Sequence, residues 1–311
     1  MAFYRALGTG MVISVDSPID DKVRPAMESL IEDYEHVLSR FRNDSLIAAI
    51  GKAEHGGSFD FPDWCAPLFD LYDALFSATS GAIDPCVGED LIRLGYDASL
   101  SFTVTQDAPE HLGALRGRAV WGRDVTRHGT TLVTHEPVQL DFGACGKGYL
   151  VDLLGRMLQS SQFVIDAGGD LLIHTEQPIS VALEDPEDQS HAIGIAHIAN
   201  GALCASAPSR RHWNVAVNER TQIAIHHLLN AIDGLPAQQT EASWAYVPAN
   251  ATLNLARDYP TAVADGLATA LFVSDVAQLQ RTFDFTYATL DESRQIAVSR
   301  NFPAELFLRS A

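Results

Sequence analysis

Two oxygen-bearing side chains interrupt an otherwise apolar stretch near the C-terminus, Pro260-Thr-Ala-Val-Ala-Asp265-Gly-Leu-Ala-Thr269-Ala-Leu-Phe-Val-Ser274. Asp265 and Thr269 are four residues apart, which places them on one face of a helix. A carboxylate beside a hydroxyl suits a hard cation such as Mg2+. Read alone, the pair is equally a first-turn acid and a packing threonine. A second stretch, Gln139-Leu-Asp141-Phe-Gly143-Ala-Cys145-Gly146-Lys147-Gly148, passes from strand to helix through three glycines. Backbone N–H groups at such a turn, with a helix N-terminus behind them, bind phosphate. Lys147 there opposes the helix dipole, a conflict that a bound phosphate removes. A tight turn carrying a solvated lysine is the alternative. The spacing matches neither a Walker A motif nor a GxGxxG fingerprint.

Weaker candidates lie elsewhere. Asp84, before Pro85, is held extended or in a turn. Gly168 and Gly169 either admit a ligand close to the backbone or form a hairpin turn. His226 and His227 are adjacent, so in a strand they point to opposite faces and do not share one metal. Either serves as a general base or as a structural group at a strand end. Arg210 and Arg211 precede a strand; they present planar forks for phosphate or carboxylate, or a solvated pair.

The elements that must position these residues follow from periodicity. A helix is predicted after Asp20-Asp21 through Val23, Met27, Leu30, Ile31, Tyr34 and Leu38. A short helix ended by glycine closes 41–51, and another starts at Pro62-Asp63 through Leu68, Leu71 and Leu75. Residues 77–88 are predicted as a loop, 100–140 as short strands and turns, and 147–158 as a helix. Strands at 163–166 and 171–175 meet at Ala167-Gly-Gly-Asp170. Further short strands are predicted at 179–184, 192–198, 202–206, 213–217, 222–227 and 242–247, and a proline-started helix at 260–274. This pattern predicts the α+β class: a single mixed domain over 1–311, rich in antiparallel sheet with packed helices, with 97–140 as a small strand-rich sub-lobe.

The net charge of -19 over 311 residues argues against non-specific nucleic-acid binding and docking on anionic lipid. An anionic ligand would need a metal ion or helix N-termini to offset repulsion. Cys65, Cys86, Cys145 and Cys204 are far apart, which suggests reduced thiols rather than zinc or disulfides. The opening residues MAFYRALGTGMVISV carry no signal-peptide pattern, so a cytoplasmic location is expected. No apolar run is long enough for membrane insertion.

The order and company of these segments resemble the FAD:protein FMN transferase family, the ApbE-like flavin transferases, nearly end to end. RALGTGMVISV is similar to the family's opening strand, and Ser39, Phe41 and Ser45 match its S-x-F-x-x-x-S segment. Gly81, Asp84, Pro85, Val87 and Gly88 match its SGGAFDPTVGPL loop. Asp141, Gly143, Lys147, Gly148, Tyr149 and Asp152 match DLGGIAKGYAVD, VIDAGGDLL is similar to VNLGGDI, and TAVADGLATALFV matches TAMVADALATALFV.

The resemblance implies a T-fold-like flavin transferase architecture and a Mg2+-dependent enzyme. Such an enzyme moves FMN from FAD to a threonine or serine hydroxyl of a target protein and releases AMP. It implies Mg2+ at Asp265, Thr269 and the Gly146 carbonyl. It implies FAD at Lys147, Gly148, Asp84, Gly168, Gly169 and Arg210, with Asp265 and His227 in catalysis. The family's HHIIDPRTG stands here as His226-His-Leu-Leu-Asn230-Ala-Ile-Asp233-Gly234, its SGDYRR as Ser206-Ala-Pro-Ser-Arg210-Arg211, and its Asn as Asp166. The phosphate and metal half is kept; the half nearer the acceptor has drifted. FAD pyrophosphatase activity and non-catalytic FAD binding are the alternative expectations.

Overall fold

The computed structural model describes residues 1–218 and 221–307. The chain opens with the hairpin β1 (Ala2–Ala6) and β2 (Thr9–Val15). Helices α1 (Val23–Leu38) and α2 (Leu46–Lys52) lead to β3 (Gly57–Asp60), α3 (Ala66–Ala78), α4 (Gly88–Arg93) and α5 (Ala108–His111). The hairpin β4 (Val125–His128) and β5 (Thr131–Thr134) precedes α6 (Gly146–Gly155). Then come β6 (Phe163–Asp166), β7 (Asp170–Glu184), β8 (Ala192–Ser206), β9 (His212–Asn218), β10 (Thr221–His226), β11 (Leu229–Asn230), β12 (Leu235–Pro236) and β13 (Thr240–Pro248). Helices α7 (Asn254–Asp258), α8 (Pro260–Ala270) and α9 (Val276–Leu279) precede β14 (Thr286–Asp291), β15 (Ile296–Val298) and β16 (Ala304–Leu306).

A nine-stranded sheet runs β1-β2-β6-β7-β8-β13-β14-β15, with β16 also on β8, and every pairing is antiparallel. Helices and antiparallel sheets together make the fold α+β. Along β8, Ala202 and Cys204 join one core while Leu203 joins another. Successive residues of a strand point to opposite faces, so the sheet carries a core on each side. The larger core takes in Met27, Tyr34, Leu68, Phe69, Tyr149 and Leu267 from the helices.

Local rules account for most element starts. Buried Met27, Ile31, Tyr34 and Leu38 give α1 one apolar face. The Ser45 hydroxyl caps α2 by accepting from the Ala48 N–H at 3.1 Å. The structure departs from expectation where pairing overrides local pattern. The strands predicted at 171–175 and 179–184 are one strand, β7, whose pairing with β8 shifts register between His174 and Ile179. The polar residues between them break the alternation, but the ladder resumes beyond. Similarly β8 fuses the strands predicted at 192–198 and 202–206. Of the strands within 97–140, β4 pairs with β5, and β5 pairs in turn with β3, outside that range.

Candidate active site

Helices α6 and α8 cross at Gly148. A Cβ there would stand 2.3 Å from the Thr261 carbonyl oxygen and 2.9 Å from the Asp265 Cβ, so only glycine permits this approach. One turn along α6, Asp152 accepts hydrogen bonds from the Thr261 and Ala262 N–H groups at 3.1 and 2.8 Å, capping α8 from outside its own sequence. Burial raises the Asp152 pKa to about 7, against the pull of these donors. Gly148 and Asp152 thus set where α8 places its polar pair.

Asp265 is buried, and its Oδ2 accepts from the Gly148 N–H at 2.9 Å. Its Oδ1 faces the Lys147 ammonium at 3.9 Å. Burial raises the Asp265 pKa, opposed by Lys147 and the Gly148 N–H. The Thr269 hydroxyl lies 3.5 Å from the Ala144 carbonyl, so α8 presents both predicted ligands to the α6 turn. The Gly146 carbonyl accepts from the buried Tyr34 hydroxyl at 2.6 Å and also lies in the first turn of α6. Lys147 forms its close ion pair with Asp170, a fully buried residue at the head of β7.

The glycine turn between β6 and β7 has Gly168 and Gly169 at φ values of 67° and 107°. Both N–H groups go to Asp166 Oδ1, at 3.0 and 3.3 Å. An asparagine carbonyl would accept the same bonds, so the change from the family's Asn leaves the turn's geometry intact.

Asp84 lies inside the protein. Its Oδ1 accepts from the Cys86 and Trp121 N–H groups at 2.8 and 3.3 Å, and its Oδ2 faces Arg118 at 3.4 Å. Burial raises its pKa, with Arg118 opposing. The Arg118 Nε also pairs with buried Asp90 at 2.8 Å, and its Nη2 donates to the Ala231 carbonyl at 2.7 Å. Asp84 therefore ties its loop to the segment after the histidine pair.

The two histidines differ in their hydrogen bonds. Nε2 of His226 lies 2.8 Å from the Ala237 carbonyl, and the Leu228 N–H donates to its Nδ1 at 3.3 Å. A carbonyl only accepts, so Nε2 carries the proton and both nitrogens are engaged. Nδ1 of His227 lies 3.2 Å from the Arg211 carbonyl, so that nitrogen is the N–H, and Nε2 is left as acceptor. Burial lowers the His227 pKa to about 4, opposed by the hydrogen bond to the Arg211 carbonyl and by Asp141.

Asp141 links this region to the α6 turn. Its Oδ1 accepts from the Gly143 N–H at 2.6 Å, and its Oδ2 pairs with Arg40. The Arg40 guanidinium lies over the Phe41 and Tyr96 rings at 4.2 and 4.7 Å. The Arg211 guanidinium lies 5.8 Å from the Tyr96 ring, whereas Arg210 pairs with Glu184 at 2.9 Å on an exposed surface. Of the two predicted arginines, Arg211 lies on the side of Tyr96 and Arg40.

The residues fit a divalent cation by charge. Asp265 and Asp170 are two buried carboxylates served by one ammonium, and beyond that ammonium neither Asp170 oxygen has a hydrogen-bond partner among the described residues. Among the described residues no three His, Cys, Asp or Glu side chains gather around a common point. The expected set does not require this, since it combines one carboxylate, one hydroxyl and a main-chain carbonyl. Sequence reasoning missed Asp170, Tyr34, Arg40 and Arg118. Asp170 stands directly after the two glycines and was available as a signal; the others act from distant segments. An open surface cavity lined by Leu253, Arg281, Phe283 and Phe285 holds none of the predicted residues.

The arrangement is that of the flavin transferase fold. The ApbE protein of Thermotoga maritima superposes with a TM-score of 0.79 at 20% identity, covering 98% of this chain and 99% of that one. The flavin transferase ApbE of Vibrio cholerae gives 0.76 at 18% identity, covering 97% of each. The ApbE family model matches residues 7–289, and the chain belongs to this family. The chain is similar to the FAD:protein FMN transferase of Klebsiella pneumoniae (strain 342), 23% identical over 274 residues, covering 84% of this chain and 74% of that protein. It is 25% identical over 299 residues to the protein of the same name from Treponema pallidum (strain Nichols), covering 81% and 72%.

Proposed function

We propose that the chain is a Mg2+-dependent FAD:protein FMN transferase, acting on a threonine or serine hydroxyl of a target protein and releasing AMP. The observation that carries this reading is the meeting of Asp265 and Thr269 with the glycine turn of α6. The names of its relatives support it. Asp265, Thr269 and a main-chain carbonyl of the turn, from Gly146 or Ala144, would hold Mg2+. Bound there, Mg2+ would neutralise charge on the phosphates of FAD.

Lys147 and the Gly168-Gly169 turn meet FAD directly in this reading. Gly148 and Asp84 act by shaping the site, and Arg211 serves where Arg210 was expected. His227 is neutral at pH 7, with its Nε2 lone pair available. It takes the proton of the acceptor hydroxyl as that oxygen bonds to the FMN phosphorus. The bond from that phosphorus to the bridging oxygen breaks, and AMP leaves with the electron pair. The four cysteines are buried and free. No described helix is long and apolar enough to cross a membrane.

A second reading, FAD pyrophosphatase with water as acceptor, draws on the segment 226–234. There His226 is fully engaged, and the Asp233 carboxylate accepts from the Leu235 N–H at 2.9 Å, so these groups maintain the loop. Incubation with FAD and Mg2+, with and without a peptide bearing the family's acceptor motif, decides between the readings. FMN mass on the peptide with AMP release, both lost in Asp265→Ala, establishes transfer. FMN and AMP without labelling establish the pyrophosphatase. Bound but intact FAD under all conditions overturns both and leaves a binding protein.

A further inference from the structure

Asp170 and Asp265 come from different layers of the fold and share one ammonium. Asp170 heads β7, directly after the Gly168-Gly169 turn, and its backbone registers with Cys204 of β8. Its position is therefore fixed by the sheet. It is 0% exposed, and among the described residues the Lys147 ammonium is the one partner of its oxygens. Asp265 differs. Its Oδ2 is held by the Gly148 N–H, and its Oδ1 has only the same ammonium at 3.9 Å.

A lysine is a compact charge on a flexible stem and settles where the uncompensated negative charge is greatest. A buried carboxylate with no other partner is such a place. Lys147 also begins α6, where the helix dipole disfavours a cation unless an anion lies close. Asp170 supplies that anion from the sheet side.

We propose that Asp170 is a positioning residue for the cation centre: it holds the Lys147 ammonium off Asp265 Oδ1 and so leaves that oxygen open to a divalent cation. This rests on the reading of Asp265 as a metal ligand. Without the Asp170 charge, the remaining carboxylate near the ammonium is Asp265, and the lysine becomes the metal's competitor. Removing the lysine as well abolishes the competition.

The test is a double-mutant cycle read by Mn2+ affinity, from the electron paramagnetic resonance of free Mn2+, without flavin or turnover. Melting temperatures are recorded for each variant. Asp170→Asn is expected to weaken Mn2+ binding roughly tenfold or more. Asp170→Asn with Lys147→Met is expected to return to within about threefold of the unmodified chain. Unchanged affinity in Asp170→Asn overturns the proposal. So does a double variant as weak as Asp170→Asn, because Asp170 would then act independently of the lysine. If Asp170→Asn melts too low to titrate, Lys147→Met and the double variant carry the test. Equal Mn2+ affinity in those two supports action through the lysine alone; tighter binding in Lys147→Met identifies Asp170 as a ligand and overturns it. An unmodified chain that binds Mn2+ no better than Asp265→Ala refutes the metal reading itself, a result distinct from all of these.

Discussion

Gly148 was expected at the cofactor, and its first duty is steric. Its missing side chain leaves room for the Thr261 carbonyl, a backbone atom that has no rotamer with which to yield. Gly148→Ala gains about 1 kcal/mol of helix propensity and forces the two helices apart at a cost of about 1–3 kcal/mol or more. The variant is expected to be net destabilised, seen as a lower urea midpoint with unchanged slope. His227 gives the second prediction at this scale. Its folded pKa of about 4 lies below its ordinary unfolded value near 6.5. Between those values the unfolded chain binds more protons, so stability rises with pH across that window and levels above it. Urea unfolding at several pH values checks this, and His227→Gln should reduce the slope there. An activity that needs neutral His227 should likewise keep its acid limb near pH 4.

At the scale of elements, α8 depends on another helix for its start. Its first residues carry no side-chain cap of their own, and Asp152 of α6 supplies both acceptors. Asp152→Ala is expected to cost about 1–2 kcal/mol, as loss of a helix cap does. Asp152→Asn keeps one acceptor oxygen and should cost less. Because the cap sets the position of α8, Asp152→Ala should also weaken divalent-cation binding, measured with Mn2+ in the folded protein. The Asp84–Arg118–Asp90 group works similarly between loops. It joins the loop at 84, helix α4 and the Ala231 carbonyl, so Asp84 anchors the segment after the histidine pair.

At the scale of the molecule, one sheet serves two cores, and the helices that carry the site pack on one of them. We propose that the whole chain unfolds as a unit. Trp64 and Trp121 report on the larger core, and Trp244 on the second. The expected outcome is a single urea transition, with tryptophan fluorescence, near-ultraviolet and far-ultraviolet circular dichroism coincident. Separated transitions would assign the two faces to independent units.

The sequence by itself determined the α+β class and the family. Helical spacing paired Asp265 with Thr269, and the glycine turn before α6 was legible because it needs only neighbouring residues. Tertiary structure decided what depends on partners far along the chain. Pairing with β8 made one strand of two predicted ones across the polar residues after His174. The Arg211 and Ala237 carbonyls chose which histidine keeps a free nitrogen. Burial turned Asp84 inward, towards Arg118, and the sheet brought Asp170 to Lys147. A buried charge is stable only beside its counter-charge. No local pattern specifies where that partner comes from, since the fold alone brings distant segments together.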